Sequence, residues 1–178
     1  DANLMETVHH GSAEYPFRYY YENIALFDFK CIDWHWHSEL EFIYIKSGNV
    51  VFDIGTVHFE LNEGNGIMIN SKILHRLQSS SDAIIPNFLF QPSFIAPQDS
   101  LIYKKYINPV ISSSLEYLVF QPDIPWQKKA QCSPPPLRGR GTQKEWGVLF
   151  RAAPGQNIPA RPAPPRCVPA ESRPPAGR

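Results

Sequence analysis

The sequence predicts a mainly β domain of the barrel or jelly-roll class. Three observations carry this. About eight short β-prone stretches follow one another at close spacing between Tyr15 and Phe90. Turn residues (Gly48-Asn49, Gly55-Thr56, Asn62–Gly66, Ser79–Asp82) separate them. Helical spacing of apolar residues begins only after Phe94.

Taken in order, residues 1–14 are polar and aperiodic and read as a flexible N-terminal arm, with His9 and His10 as exposed tail residues. The stretch from Tyr15 to Ile32 is rich in aromatic and branched residues and predicts strands near 17–21 and 26–33, with Pro16 at a strand start. Glu39–Ser47 is the clearest strand, and Val50–Ile54 returns from the Gly48-Asn49 turn. In Val57–Leu61, Val57, Phe59 and Leu61 share one face and His58 and Glu60 the other, so His58 is expected in solvent. Ile67–Ile69, His75–Gln78 and Ala83–Phe90 complete the set. Residues 15–97 are therefore expected to form the β domain. Asp99–Val110 then follows with near-helical spacing and Asp99 or Ser100 as N-cap, and a second helix is expected after Asp123, with Pro125 in its first turn. Residues 98–130 are read as a helical segment of dimerisation or linker type.

The net charge of zero hides a division. Residues 1–130 carry nine Lys and Arg against fifteen Asp and Glu, net −6; residues 131–178 carry eight against two, net +6. Eleven of the 18 prolines fall in that last stretch, which has one apolar patch, Lys144–Phe150. Such a composition cannot bury enough surface to offset ordering entropy, so 131–178 is expected to be a disordered Pro/Arg-rich tail, out of frame with what precedes it. Three widely spaced cysteines without a CxxC pair argue against a disulfide framework. No apolar run is long enough to span a bilayer and no leader pattern opens the chain, so a cytoplasmic setting away from membranes is expected.

The chemistry concentrates at His35-Trp36-His37-Ser38-Glu39-Leu40-Glu41, with His75 downstream of Gly64-Asn65-Gly66. Histidines at i and i+2 face the same way on a strand. Three imidazoles and a carboxylate converging inside a barrel make either a metal site or a polar pocket floor. As a metal site, His35, His37, Glu41 and His75 would hold divalent Fe, Mn, Ni or Zn with positions left open. As a pocket floor they would hydrogen-bond a ligand. Trp34 and Trp36 alternate with the histidines and are expected in the core, as is Cys31. Arg76 is expected at the surface. Trp126 is expected to anchor the start of the second helix to the barrel or to a partner surface. No nucleophile–base pair and no phosphate-cradling loop stands out, so no catalytic residue is assigned.

His35-x-His37-x3-Glu41-x6-Gly48 resembles the first cupin motif, and Gly64-Asn65-Gly66-x8-His75 the second. More narrowly, the segments Glu14–Phe17, Asp33–Phe42, Leu61–Ile67, Ile69–His75 and Asp123–Trp126 resemble the N-terminal sensing domain of AraC-type bacterial transcription regulators. The resemblance implies a cupin β-barrel (a double-stranded jelly roll) that binds a small effector, sugars being the usual guess. It implies flanking helices that support a homodimer. It also implies DNA contact only through a helix-turn-helix domain, for which no counterpart is recognised after Ala130. Asn70 stands where the general cupin pattern has proline, and the glycine expected before the first histidine is missing near Phe29; both departures favour sensor over enzyme. The function expected is therefore non-enzymatic effector sensing without a cofactor. The alternative is a stand-alone metal-dependent cupin enzyme, a dioxygenase or isomerase.

Overall fold

The computed structural model describes residues 3–132, with side chains to Lys128. From residue 133 on, the expected tail lies outside the described residues. Among the described residues, nine strands form two antiparallel sheets. They are β1 (Phe17–Asn23), β2 (Cys31–His35), β3 (Leu40–Tyr44), β4 (Asn49–Ile54), β5 (Val57–Asn62), β6 (Gly66–Ile69), β7 (His75–Gln78), β8 (Ile84–Phe90) and β9 (Tyr117–Phe120). One sheet runs β1-β8-β3-β6-β9 and the other β2-β7-β4-β5. Apart from the β4–β5 hairpin, the first eight strands alternate between the sheets in the order of a jelly roll, so the expected fold class is the observed one.

Period-two alternation puts Phe52, Ile54, Ile43, Ile67, Ile69, Leu77 and Ile85 between the sheets, where each is almost fully buried. Burying one such side chain contributes about 1.5–3 kcal/mol. His58 is exposed, as its register predicts. Pro86 sits opposite Tyr21 of β1, just beyond the part of β8 that pairs with β3, which runs from Phe90 to Asn87.

Three features depart from the expectations. The strand expected near 26–33 starts only at Cys31. Asn23 accepts from Ala25 N and turns the chain into 3-10 turns at Ile24–Leu26 and Asp28–Lys30, with Phe29 (φ 56°) and Lys30 (φ 51°) left-handed. The β-prone Leu26 and Phe29 therefore point into solvent. Second, the sheets do not end at residue 97. Tyr117–Phe120 pairs antiparallel with β6, because Ile67 and Ile69 would otherwise leave an open edge beside a buried face. Third, the helical segment is irregular. Ser100 Oγ accepts from Tyr103 N as its cap. A π-turn follows at Tyr103–Ile107, with Asn108 N–H reaching Tyr103 O. Pro109 has no N–H to continue an α ladder, which accounts for the wider turn before the short α1, Asn108–Ile111. The second helix, α2, spans Pro125–Cys132. It leaves Trp126 61% exposed rather than anchored to the barrel. Among the described residues, no helix is long and apolar enough to cross a membrane.

Asn70 ties the helical segment down. It is buried, and its amide donates to Val110 O (2.9 Å) and Leu115 O (2.8 Å) while its Oδ1 accepts from Ser71 N.

Candidate functional site

The four residues singled out at the sequence level come together inside the barrel. His35 closes β2 opposite His75, the first residue of β7. Glu41 points inward from β3, and His37 lies in the extended chain between β2 and β3. Their ligand atoms all lie within 4.8 Å of one another. Ring centroids are 4.2 Å apart for His35–His75, 5.2 Å for His37–His75 and 5.9 Å for His35–His37. His37, Glu41 and His75 are buried; His35 is half-buried.

Backbone carbonyls fix two of the tautomers. His35 Nδ1 lies 2.7 Å from Asp33 O, and His75 Nδ1 2.8 Å from Ile73 O. A carbonyl can only accept, so each Nδ1 carries the proton and a neutral ring has its lone pair on Nε2. His75 Nε2 then faces Glu41 Oε2 at 3.1 Å, outside hydrogen-bond geometry. Glu41 Oε2 also accepts from His37 Nε2 at 3.2 Å. His37 Nδ1 is buried without a hydrogen-bond partner, 3.8 Å from Glu39 Oε2.

Burial pushes the Glu41 carboxyl up, but the His37 hydrogen bond and the adjacent His75 imidazole outweigh it and hold the group well below its ordinary range. For His37, burial works toward the neutral form. The hydrogen bond and charge of Glu41, with Glu6 and Glu39 behind, outweigh it and raise its pKa.

These residues fit a divalent ion in donor type. In His35 and His75 an Nδ1–H···O=C bond fixes the ring from behind and leaves Nε2 for an ion, the way proteins usually orient metal-bound histidine. With bonds of about 2.1 Å, donors on one ion lie no more than about 4.2 Å apart, so the cluster would draw in slightly.

The sequence reading missed the cover on this site. His10 is buried, not an exposed tail residue. Its Nδ1 meets Tyr20 OH at 2.9 Å, its Nε2 meets Glu6 Oε2 at 3.2 Å, and its ring lies edge-on to His37 at 5.8 Å. The arm is pinned by Met5, bridged to Trp36, and by Trp36 Nε1 donating to Asn3 O at 2.8 Å. Trp36 is thus only half-buried, under the arm rather than in the core. The inward phase of Tyr20 on β1 was the one available signal. Cys31 is buried, and Arg76 Nε donates to its sulfur at 3.3 Å.

Residues 27–96 match the family described as AraC-like ligand binding domain. The chain is 32% identical over 131 residues to the uncharacterized HTH-type transcriptional regulator YdeC of Bacillus subtilis, across 72% of this chain and 44% of that protein. This chain therefore spans less than half the length of that relative. Among solved structures, a cupin superfamily protein from Desulfitobacterium hafniense aligns at TM-score 0.40 and 9% identity, over 43% of this chain and 68% of that one. A predicted oxalate decarboxylase from Thermotoga maritima aligns at 0.39 and 19%, over the same shares. Residues 27–96, with their paired sheets and enclosed His–Glu cluster, are thus similar to the AraC-like ligand-binding domains.

Proposed function

We propose that this chain is the effector-sensing module of an AraC-like transcription regulator, with a small polar molecule bound at His35, His37, Glu41 and His75. The observation that carries it is the enclosed polar cluster with the arm across it. Three imidazoles and a carboxylate meet inside the barrel, and two imidazole nitrogens, His37 Nδ1 and His75 Nε2, have no hydrogen-bond partner. Buried polar atoms without partners cost stability, and a ligand that pairs them recovers it. Binding would favour one arrangement of the arm or of the helical segment over another. Pairing of two chains and DNA contact through a helix-turn-helix domain, as the name of the Bacillus relative indicates for that protein, belong to the same proposal.

The test is a thermal-shift screen of sugars and other small polar molecules on the full chain. A sensor gives a concentration-dependent rise in Tm that His37→Ala and His75→Ala abolish. Turnover of the stabilising compound would overturn the non-enzymatic reading.

A second reading, a metal cupin enzyme, is favoured by His75 Nε2, which faces Glu41 Oε2 at 3.1 Å while its Nδ1 is held by Ile73 O. His35, His37, Glu41 and His75 would hold the ion, which would polarise a bound ligand as a Lewis acid. Elemental mass spectrometry decides it. About one Fe, Mn, Ni or Zn per chain, lost in His37→Ala, supports this reading, and none refutes it.

A further inference from the structure

The five-stranded sheet carries a second concavity on the face turned away from the histidines. β3 alternates, with Glu41 and Ile43 buried and Phe42 and Tyr44 on the other side. Register places outward residues of the neighbouring strands beside them. Phe42 is opposite Phe88 of β8, Phe88 is opposite Tyr19 of β1, and Pro86 is opposite Tyr21. Phe120 of β9 is opposite Gly66, whose missing side chain opens a groove. Its volume is about 360 Å³. Phe42 and Phe88 lie nearly parallel (5.1 Å, 6°), and Phe120 extends the platform (6.3 Å, 25°).

The groove has one charged lining group, Lys46. Its Nζ is 2.6 Å from Tyr21 OH and 4.9 Å from the centre of that ring, so the cation is held at the rim. Tyr19 also lines the groove, and burial first, then the neighbouring Tyr21, pushes its phenol pKa up. It remains a hydrogen-bond donor at neutral pH.

We propose that this groove binds a flat aromatic molecule bearing one carboxylate, its ring against Phe42, Phe88 and Phe120 and its carboxylate on Lys46 and the tyrosine hydroxyls. The volume falls in the range of small-molecule sites, and the wall is apolar with a few convergent polar groups, as such sites are. Charge complementarity selects the occupant. A lone ammonium beside phenolic donors suits one anionic group, and parallel rings suit a further ring. The site stands independently of the barrel reading.

The test uses the full chain, 2-naphthoate as probe and uncharged 2-naphthamide as its isostere, by calorimetry and tyrosine fluorescence. The expected result is saturable one-to-one binding of naphthoate. Lys46→Gln should weaken it about tenfold and leave the amide unchanged. Lys105→Gln removes a lysine that also lies over a tyrosine, Tyr106, and should change nothing. Tyr44→Ala, on the exposed rim, should weaken both probes. Absence of saturable binding overturns the proposal, as does binding indifferent to Lys46→Gln. So does binding abolished by His37→Ala, which would put the probe in the barrel. Self-association in sedimentation that Tyr44→Ala disrupts, without naphthoate binding, would assign the face to a second copy and overturn it too.

Discussion

His75 turns Nε2 toward Glu41 Oε2 at 3.1 Å while the Ile73 carbonyl claims its Nδ1 proton at 2.8 Å. The two atoms lie at ion-pair distance, and His37 Nε2 reaches the same carboxylate oxygen at 3.2 Å. The consequence is a stability optimum in the metal-free chain. The depressed Glu41 contributes stability that is present above its ordinary value of 4.5 and is lost as pH falls through the folded value. The raised His37 contributes stability that is full below 6.5 and is lost as pH rises through its folded value. Tm measured against pH with chelator present should therefore peak between those two values and fall on either side. Glu41→Gln should remove the alkaline fall and lower stability at the optimum by about 2 kcal/mol, the scale of a buried charged hydrogen bond.

Metal, if held here, must compete with protons for the imidazoles. Zn²⁺ or Ni²⁺ should raise Tm more at pH 7.5 than at pH 5.5, and a chelator should reverse the rise. His75→Ala should abolish it at both. A metal effect that persists in that variant would place the ion elsewhere.

Tyr20 holds the arm through His10. Tyr20→Phe deletes the hydroxyl and little else, so the loss should be about 1 kcal/mol of local stability. Hydrogen exchange reads it directly. The amides of Glu6 and Trp36, bonded to Trp36 O and Leu4 O, should exchange about fivefold faster, while those of β4 and β7 should not change.

Asn70→Ala should be more costly. It frees Val110 O and Leu115 O together and leaves Ser71 N without its acceptor. A loss of about 2–3 kcal/mol in urea unfolding is expected, with β9 amides the first to lose protection.

Gly48→Ala should also destabilise, by more than about 1 kcal/mol. The backbone there has φ +80°, and a Cβ would meet Asp82 O at 2.6 Å.

Where side chains alternate cleanly against a core, the strands could be read in advance. In Val50–Ile54 the inward phase Val50, Phe52 and Ile54 is buried as the period predicts, and in Val57–Leu61 the same phase holds for Phe59 and Leu61, while Val57 at the strand start is exposed. The site was legible for the same reason. His35 and His37 keep the spacing that turns two rings one way, whereas Glu41 reaches His37 through the bend at Ser38-Glu39, which the spacing does not announce. The failures have local causes. Leu26 and Phe29 have strand propensity, but a side-chain cap from Asn23 and two left-handed residues override it. β9 was hidden because its pairing partner is β6, with β7, β8 and the helical segment lying between them in sequence. His10 was hidden because its environment is made by Tyr20 and Glu6, which nothing in a polar, aperiodic stretch announces.

The late arrival of β9 sets an order on assembly. Every other strand of its sheet can pair as soon as Phe90 has been made, since β1, β8, β3 and β6 precede it. β6 must then keep an open edge until the chain has wound through the π-turn and come back under the Asn70 amide. During synthesis that edge is the place where a second nascent chain could pair instead. The side chain of Asn70 acts as a latch whose fastening ends that exposure, because it secures Val110 and Leu115 and so delivers Tyr117 to its register against Ile69.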